Sequence, residues 1–198
     1  LLVSSAASDV YKRQVLRLKE NSQIALFNGE EGEWLSTIKI ISKKFVELEV
    51  LEQIKLQEVI SDIWLVFAPI KRTRIDYLAQ KATELGAGAL WPIFTKYTSV
   101  SRVNAERLRS NSIEAAEQSG RLTVPKILDP IDFDTLIEKW PHDRDLFCLD
   151  ETGRGAPILD AFRSSHQRAS GLLIGPEGGF AKEELDQVDK LGLSLIHI

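Results

Sequence analysis

Ten residues near the carboxyl end carry an arrangement that could do chemistry: Gly171-Leu172-Leu173-Ile174-Gly175-Pro176-Glu177-Gly178-Gly179-Phe180. Leu172 to Ile174 is an apolar run of the kind that forms a strand buried on both faces. Gly175-Pro176 and Gly178-Gly179 then break it. Lys182 to Val188 follows, with acidic residues early and apolar ones at helical spacing. The spacing predicts a strand, a tight glycine turn and a helix. In open α/β sheets, ligands bind at such turns, beyond the carboxyl ends of the strands. Glycines there let the backbone approach a ligand where a Cβ would clash. Glu177 is the one acid in a turn otherwise built for clearance. A plain connection would use the same residues. No Gly-Lys-Ser/Thr follows, so the turn is not a P-loop, and it lacks the G-x-G-x-x-G dinucleotide pattern. A small ligand without a pyrophosphate fits it best.

A second group of residues is basic. The chain has 198 residues and a net charge of −4, which argues weakly against a nucleic-acid partner. The distribution argues the other way. From Lys71 to Lys126, ten Lys and Arg stand against five Asp and Glu, leaving +5, and the remainder carries fifteen against twenty-four, leaving −9. A local basic surface matters more for phosphate contact than the total does. Lys71-Arg72-Thr73-Arg74 is its densest part, and a solvated loop is the plain alternative. His142, His166 and His197 have no partners at ligand spacing, so no metal is expected. The lone Cys148 cannot form an internal disulfide and fits a reducing, cytoplasmic setting. No apolar run approaches the roughly 20 residues that span a membrane.

The elements that would position these groups follow from patterning. Gln23–Phe27, Trp34–Ile41 and Phe45–Leu51 read as short strands, with turns at Asn28-Gly29 and Ser42-Lys43-Lys44. They suggest a small antiparallel barrel. Residues 52 to 62 read as a linker. Ile63–Ala68 is a buried-type strand. Ile75, Leu78, Ala82 and Leu85 then mark a helix closed by Gly86. Ala89–Phe94 is the next strand. Asn104 caps a helix to Gln118 with Leu108, Ile113 and Ala116 inward, and Gly120 stops it before Arg121. Val124–Leu128 and Leu146–Leu149 are further strands around a helix from Asp134 to Trp140, capped by Asp132 or Asp134. Strands alternating with helices predict an α/β fold with a parallel sheet.

Three segments stand in order: Gln80-Lys81-Ala-Thr-Glu84-Leu-Gly86, then Glu114-Ala-Ala-Glu117-Gln118-Ser119-Gly120-Arg121, then Leu173-Ile-Gly-Pro-Glu-Gly-Gly-Phe180. With Val15-Leu16-Arg17-Leu18 and the Phe27-Asn28-Gly29 turn, the chain resembles the small-subunit ribosomal RNA uridine-N3 methyltransferases of the RsmE type, in the SPOUT superfamily. The resemblance covers nearly all of Val15 to Gly192. It implies a PUA-like RNA-binding barrel over 15–60 and an α/β SPOUT domain over 61–192. In the family that domain carries a trefoil knot, binds S-adenosyl-L-methionine and forms a homodimer. It implies that Leu149, Ile174, Gly175, Pro176, Glu177, Gly178 and Gly179 hold the cofactor. Arg121 and Gln118 would lie at the reaction centre, and Lys71, Arg72, Arg74 and Lys81 would contact small-subunit ribosomal RNA.

The residue types suit that chemistry. Uridine N3 must lose a proton before it attacks a sulfonium methyl, and a cation such as Arg121 at a uracil carbonyl would stabilise the anion. As a plain alternative, Arg121 is a surface cation near the open carbonyls of a helix end, and Gln118 an exposed helix residue. Glu117, Asp150 and Glu177 are open candidates for the proton acceptor. Two departures from the family stand out. Ala181 occupies the place of a capping serine, and the usual L-G-x-x-I-L-R-x-E-T-A segment is absent after Leu191-Gly192. Residues 1–14, with SAASDVYKRQ, and 193–198, LSLIHI, resemble translated sequencing-adapter read-through. They are expected to be non-native ends of a truncated chain. A non-catalytic RNA-binding fragment and a related SPOUT enzyme with another target are the alternatives.

Overall fold

A computed structural model describes residues 2–4, 18–42, 45–153, 155–164, 169–190 and 193–197. The expected motif at Val15 to Arg17, the turn at Lys43-Lys44 and the boundary at Leu191-Gly192 lie outside them. The chain divides into two compact units, Leu1–Val59 and Ile60–Ile198.

The first unit is a four-stranded antiparallel sheet. Its strands are β1 (Leu2–Ser4), β2 (Gln23–Phe27), β3 (Glu33–Ile41) and β4 (Val46–Lys55), in the order β1-β4-β3-β2. Asn28 closes the β2–β3 connection: its carbonyl oxygen accepts from the Glu30 and Glu31 amides, both at 2.9 Å. Ile38 and Leu48 oppose each other in the β3–β4 register and are buried, while Glu49 faces solvent. This is the alternation expected of a half-buried strand. β4 runs to Lys55 and takes in Glu52–Lys55, the start of the expected linker. The reason is backbone pairing: Glu33, Trp34 and Leu35 continue the ladder with Lys55, Gln53 and Glu52. A polar composition does not stop a strand whose neighbour supplies the hydrogen bonds.

The second unit is built on a parallel sheet of eight strands. They are β5 (Ile63–Phe67), β6 (Ala89–Phe94), β7 (Lys126–Ile127), β8 (Ile131–Asp132), β9 (Asp145–Asp150), β10 (Ala156–Pro157), β11 (Ser170–Ile174) and β12 (Ser194–His197). The order is β10-β12-β9-β11-β5-β6-β7, with β8 paired to β6. The helices are α1 (Arg72–Glu84), α2 (Ala105–Ser119), α3 (Phe133–Lys139), α4 (Ile158–Ser164) and α5 (Lys182–Lys190). One core cluster packs Val66, Ile93, Leu136, Cys148, Leu173 and Val188 together, and another packs Phe67, Ala79, Leu90 and Leu108.

The helix ends follow local chemistry. Gly86, at φ +86°, ends α1: its amide donates to Thr83 O and the Ala87 amide to Ala82 O, both at 2.9 Å. This pair of bonds is a Schellman motif. Asn104 caps α2 through the Arg107 amide at 3.0 Å, and Asp132 caps α3 through the Thr135 amide at 2.7 Å. On α2 the inward stripe is Leu108, Ser112, Ala115 and Ala116. Ile113, expected inside, is 37% exposed. It follows Ser112 by one residue, about 100° around the helix, and so leaves the buried stripe.

Both chain ends that resemble adapter sequence pair with sheets. Leu2, Val3 and Ser4 oppose Leu48, Glu47 and Val46. Ser194 to His197 lies between β10 and β9, and Ile196 is fully buried. β11 is flanked by β9 and β5, and Leu173, Leu185 and Val188 are buried. An edge strand's open backbone groups accept any extended segment, so the pairing locates these residues without bearing on their origin.

Candidate functional site

Register sets three strand ends level. Ile174, the last residue of β11, is opposite Leu149 in β9 and Phe67 in β5. The Ala68 amide also donates to Ile174 O at 2.9 Å. The loops after β5, β9 and β11 thus leave the sheet together, where ligands bind in this architecture.

Each half of the glycine turn has its own packing. The Phe180 ring lies on Gly175, so that a Cβ there would be 2.8 Å from Phe180 Cε2. Gly179 holds φ +70° under the Glu151 carboxylate, and its amide donates to Pro176 O at 2.9 Å. Gly178 differs from both. A Cβ there would meet only Tyr97 Cβ, at 3.5 Å, an ordinary contact beside open space. The protein's own packing thus leaves clearance over Gly178 for something else.

The expected cofactor residues are gathered at this edge. Leu149 and Ile174 are register partners, Ile174 is 38% exposed, and Gly175 to Gly179 follow directly. Arg74 of α1 brings part of the basic segment to the same place: its Nη1 lies 3.5 Å from Glu177 Oε1. Both groups are well exposed, so the pair marks proximity and contributes little stability. Lys71 is exposed at the N-cap of α1, and Arg72 begins the helix.

Arg121, Gln118 and Lys81 lie elsewhere. The Arg121 guanidinium covers Gly86, and its Nε donates to Glu84 O at 2.8 Å. A cation on the last carbonyls of α1 is what the helix dipole favours. The thirteen residues of α1 separate this point from the glycine turn by about 20 Å within one chain. Gln118 is exposed and donates to Glu114 Oε1 at 3.2 Å. Lys81 sits 2.7 Å from Glu84 Oε2, and this hydrogen bond raises its pKa and lowers that of Glu84.

Among the acids, Asp150 is buried and accepts from the Thr152 amide at 3.0 Å. Glu177 is exposed beside Arg74. Glu117 lies on the exposed face of α2. Beside Asp150 in sequence, burial pushes the Cys148 thiol up to about 12, with Asp150 and Glu184 adding to the shift.

Two features escaped sequence reasoning. Glu184 is 8% exposed and takes over the capping that Ala181 cannot supply. Its Oε2 accepts from the Ala181 amide at 2.8 Å, the acidic half of a capping box. Its Oε1 accepts from the Lys96 amide at 2.8 Å, tying α5 to the loop after β6. An acid three residues past Ala181 was the available signal. The second is Tyr97, beside Gly178, for which spacing offered none. A cleft of about 420 Å³ lies nearby, lined by residues such as Thr95, Lys96, Asp134, Glu183 and Glu184. Among the described residues, no group of three or more His, Cys, Asp or Glu could hold a metal ion.

Comparison with known proteins gives the chain's relatives. Residues 57–198 match the family described as the RNA methyltransferase domain, and residues 13–51 match the RNA methyltransferase PUA domain. Ribosomal RNA small subunit methyltransferase E of Rickettsia conorii is 35% identical over 176 residues, covering 89% of this chain and 72% of that protein. The protein of the same name from Synechocystis is 29% identical, with 88% of this chain and 59% of that protein covered. The Neisseria gonorrhoeae enzyme of that name, crystallised with S-adenosyl methionine, superposes with a TM-score of 0.86 at 26% identity, covering 98% of this chain and 82% of that one. The chain belongs to the RNA methyltransferase family of ribosomal RNA small subunit methyltransferase E.

Proposed function

We propose that this chain is an S-adenosyl-L-methionine-dependent methyltransferase acting on N3 of a uridine in small-subunit ribosomal RNA. The observation that carries the reading is the clearance over Gly178, at the level ends of β5, β9 and β11, with Arg74 against the same turn. A cofactor cradle and a phosphate-binding cation are thereby adjacent. The turn fits the cofactor: Gly178 presents backbone without a side chain, and Leu149 and Ile174 offer apolar wall. The bound cofactor supplies an electrophilic methyl on a sulfonium.

The chain's own residues do the rest. Lys71, Arg72 and Arg74 hold the RNA backbone, so that an unpaired or flipped uridine enters beside Gly178. N3 would lose its proton to an acceptor on this chain and would then take up the methyl that the bound cofactor supplies. Fixing both partners supplies much of the rate, since orientation can provide roughly 7–11 kcal/mol. Arg121 stabilises the uracil anion. Because α1 holds Arg121 away from the turn of its own chain, a homodimer in which each copy lends Arg121 and Gln118 to the other best accommodates that role.

The test is transfer of a labelled methyl from S-adenosyl-L-methionine to small-subunit ribosomal RNA, with the product mapped by reverse-transcription arrest, because an N3 methyl blocks base pairing. A single arrest at a uridine is expected. Modification of another atom or of transfer RNA would make this a related enzyme with another target. RNA binding without cofactor binding would leave only an RNA-binding fragment.

A further inference from the structure

We infer that Tyr97 is a stacking platform for a base of the RNA substrate, set at the lip of the glycine turn; this rests on the methyltransferase reading above. The residue is 51% exposed, so its ring is open to a stacking partner. Its Cβ bounds the open space over Gly178 at 3.5 Å from where a side chain there would begin. A base delivered to that clearance lies next to the residue that carries this ring.

The backbone that carries Tyr97 is held rigid. Lys96 and Tyr97 are the central residues of a turn closed by the Thr98 amide on Thr95 O at 3.1 Å. The Thr98 hydroxyl accepts from the Thr95 amide and contacts the Thr95 hydroxyl, both at 2.9 Å. The Lys96 amide is fixed by the buried Glu184 carboxylate at 2.8 Å. A pre-positioned aromatic face is what recognition of an unstacked base requires, because stacking gives affinity only when little ordering remains to be done. The Lys96 ammonium lies 6.0 Å from the ring centroid and is paired with Glu183 Oε2 at 3.2 Å.

Two planar partners have this chemistry, an RNA base and the adenine of the cofactor. Exposure and the adjacent Lys96 favour the RNA base, since a cofactor ring is expected to be enclosed. The experiment separates them. Binding of a uridine-containing single-stranded RNA oligomer is followed by fluorescence anisotropy, and binding of S-adenosyl-L-methionine by calorimetry, for the parent, Tyr97→Ala and Tyr97→Phe. Tyr97→Ala is expected to weaken RNA binding about tenfold, as loss of one stacked base does. Tyr97→Phe should restore it. The slope of RNA affinity against salt should not change, because stacking releases no counterions. Unaltered RNA binding by Tyr97→Ala, or a loss confined to the cofactor, overturns the assignment while leaving the methyltransferase reading intact. A parent chain that binds no RNA overturns both. Far-ultraviolet circular dichroism of the exposed-site variants checks that the fold is unchanged.

Discussion

An added Cβ at Gly178 would reach only Tyr97, whereas one at Gly171 would drive into the Trp140 ring. Both positions are glycine, yet the first faces open space and the second faces the core. Gly178→Val should leave the fold within about 0.5 kcal/mol of the parent, as exposed substitutions do. It should abolish S-adenosyl-L-methionine binding by calorimetry, and unchanged affinity would reduce the turn to a connection. Gly171→Val should instead destabilise by about 1–3 kcal/mol or more, through overpacking against Trp140 and Leu146. The sequence offered both glycines in one motif and no means to tell them apart, because the distinction lies in what a distant residue places over each. Cys148 gives a residue-scale prediction in pH. Burial raises its folded pKa from 9.0 to about 12, so the folded state favours the neutral thiol. Its contribution to stability is full below pH 9 and is lost as pH rises from 9 toward 12. The native thiol should resist a disulfide reagent at pH 8 and react once the chain is denatured. Fast reaction in the native state would contradict the burial.

At the scale of elements, the strands and helices that carry strong periodicity were legible. Gln23–Phe27 and Ala89–Phe94 were read with the bounds the structure gives, and the Asn104 and Asp132 caps hold. Short or unpatterned pieces were not. β10 and α4 went unread, because a two-residue strand and a seven-residue helix are decided by the sheet they meet. Ser112 took the inward place given to Ile113 because helix phase outranks side-chain polarity. α1 carries the main element-scale prediction. Its N-terminus brings Arg74 to the glycine turn, with Lys71 and Arg72 its neighbours in sequence, while Lys81 near its other end is engaged with Glu84. Replacing Lys71, Arg72 and Arg74 together by Ala should weaken RNA binding and reduce the salt slope by about two, if each contacts one phosphate of a single strand. Cofactor affinity should hardly change. An unaltered slope, measured by titrating RNA at several salt concentrations, would move the RNA surface away from this helix.

At the scale of the molecule, the question is which part of the site the 198 residues complete. The sheet extends beyond β9: β12 pairs with it, and Ile196 packs with Phe147, Ala161 and Leu172. Ile196→Ala should therefore cost about 2–5 kcal/mol, as truncation of a buried aliphatic side chain does. Enclosure of a ligand asks for more than a covered edge. Cofactors bind with most of their surface buried, and here Ile174 and Gly178 leave the turn open on one side. The chain spans 72% of its Rickettsia relative. The chain as written is thus expected to fold cooperatively and to bind S-adenosyl-L-methionine weakly, with poor methyl transfer. A version in which a family-like segment replaces residues 193–198 should gain cofactor affinity, dimer mass by light scattering and ribosomal RNA methylation together. The three should rise together if one segment both walls the pocket and joins the copies, which would also let Arg121 reach a glycine turn. Methylation by the 198-residue chain at the rate of the extended one would refute that coupling, and a gain in mass without a gain in affinity would separate the interface from the pocket wall.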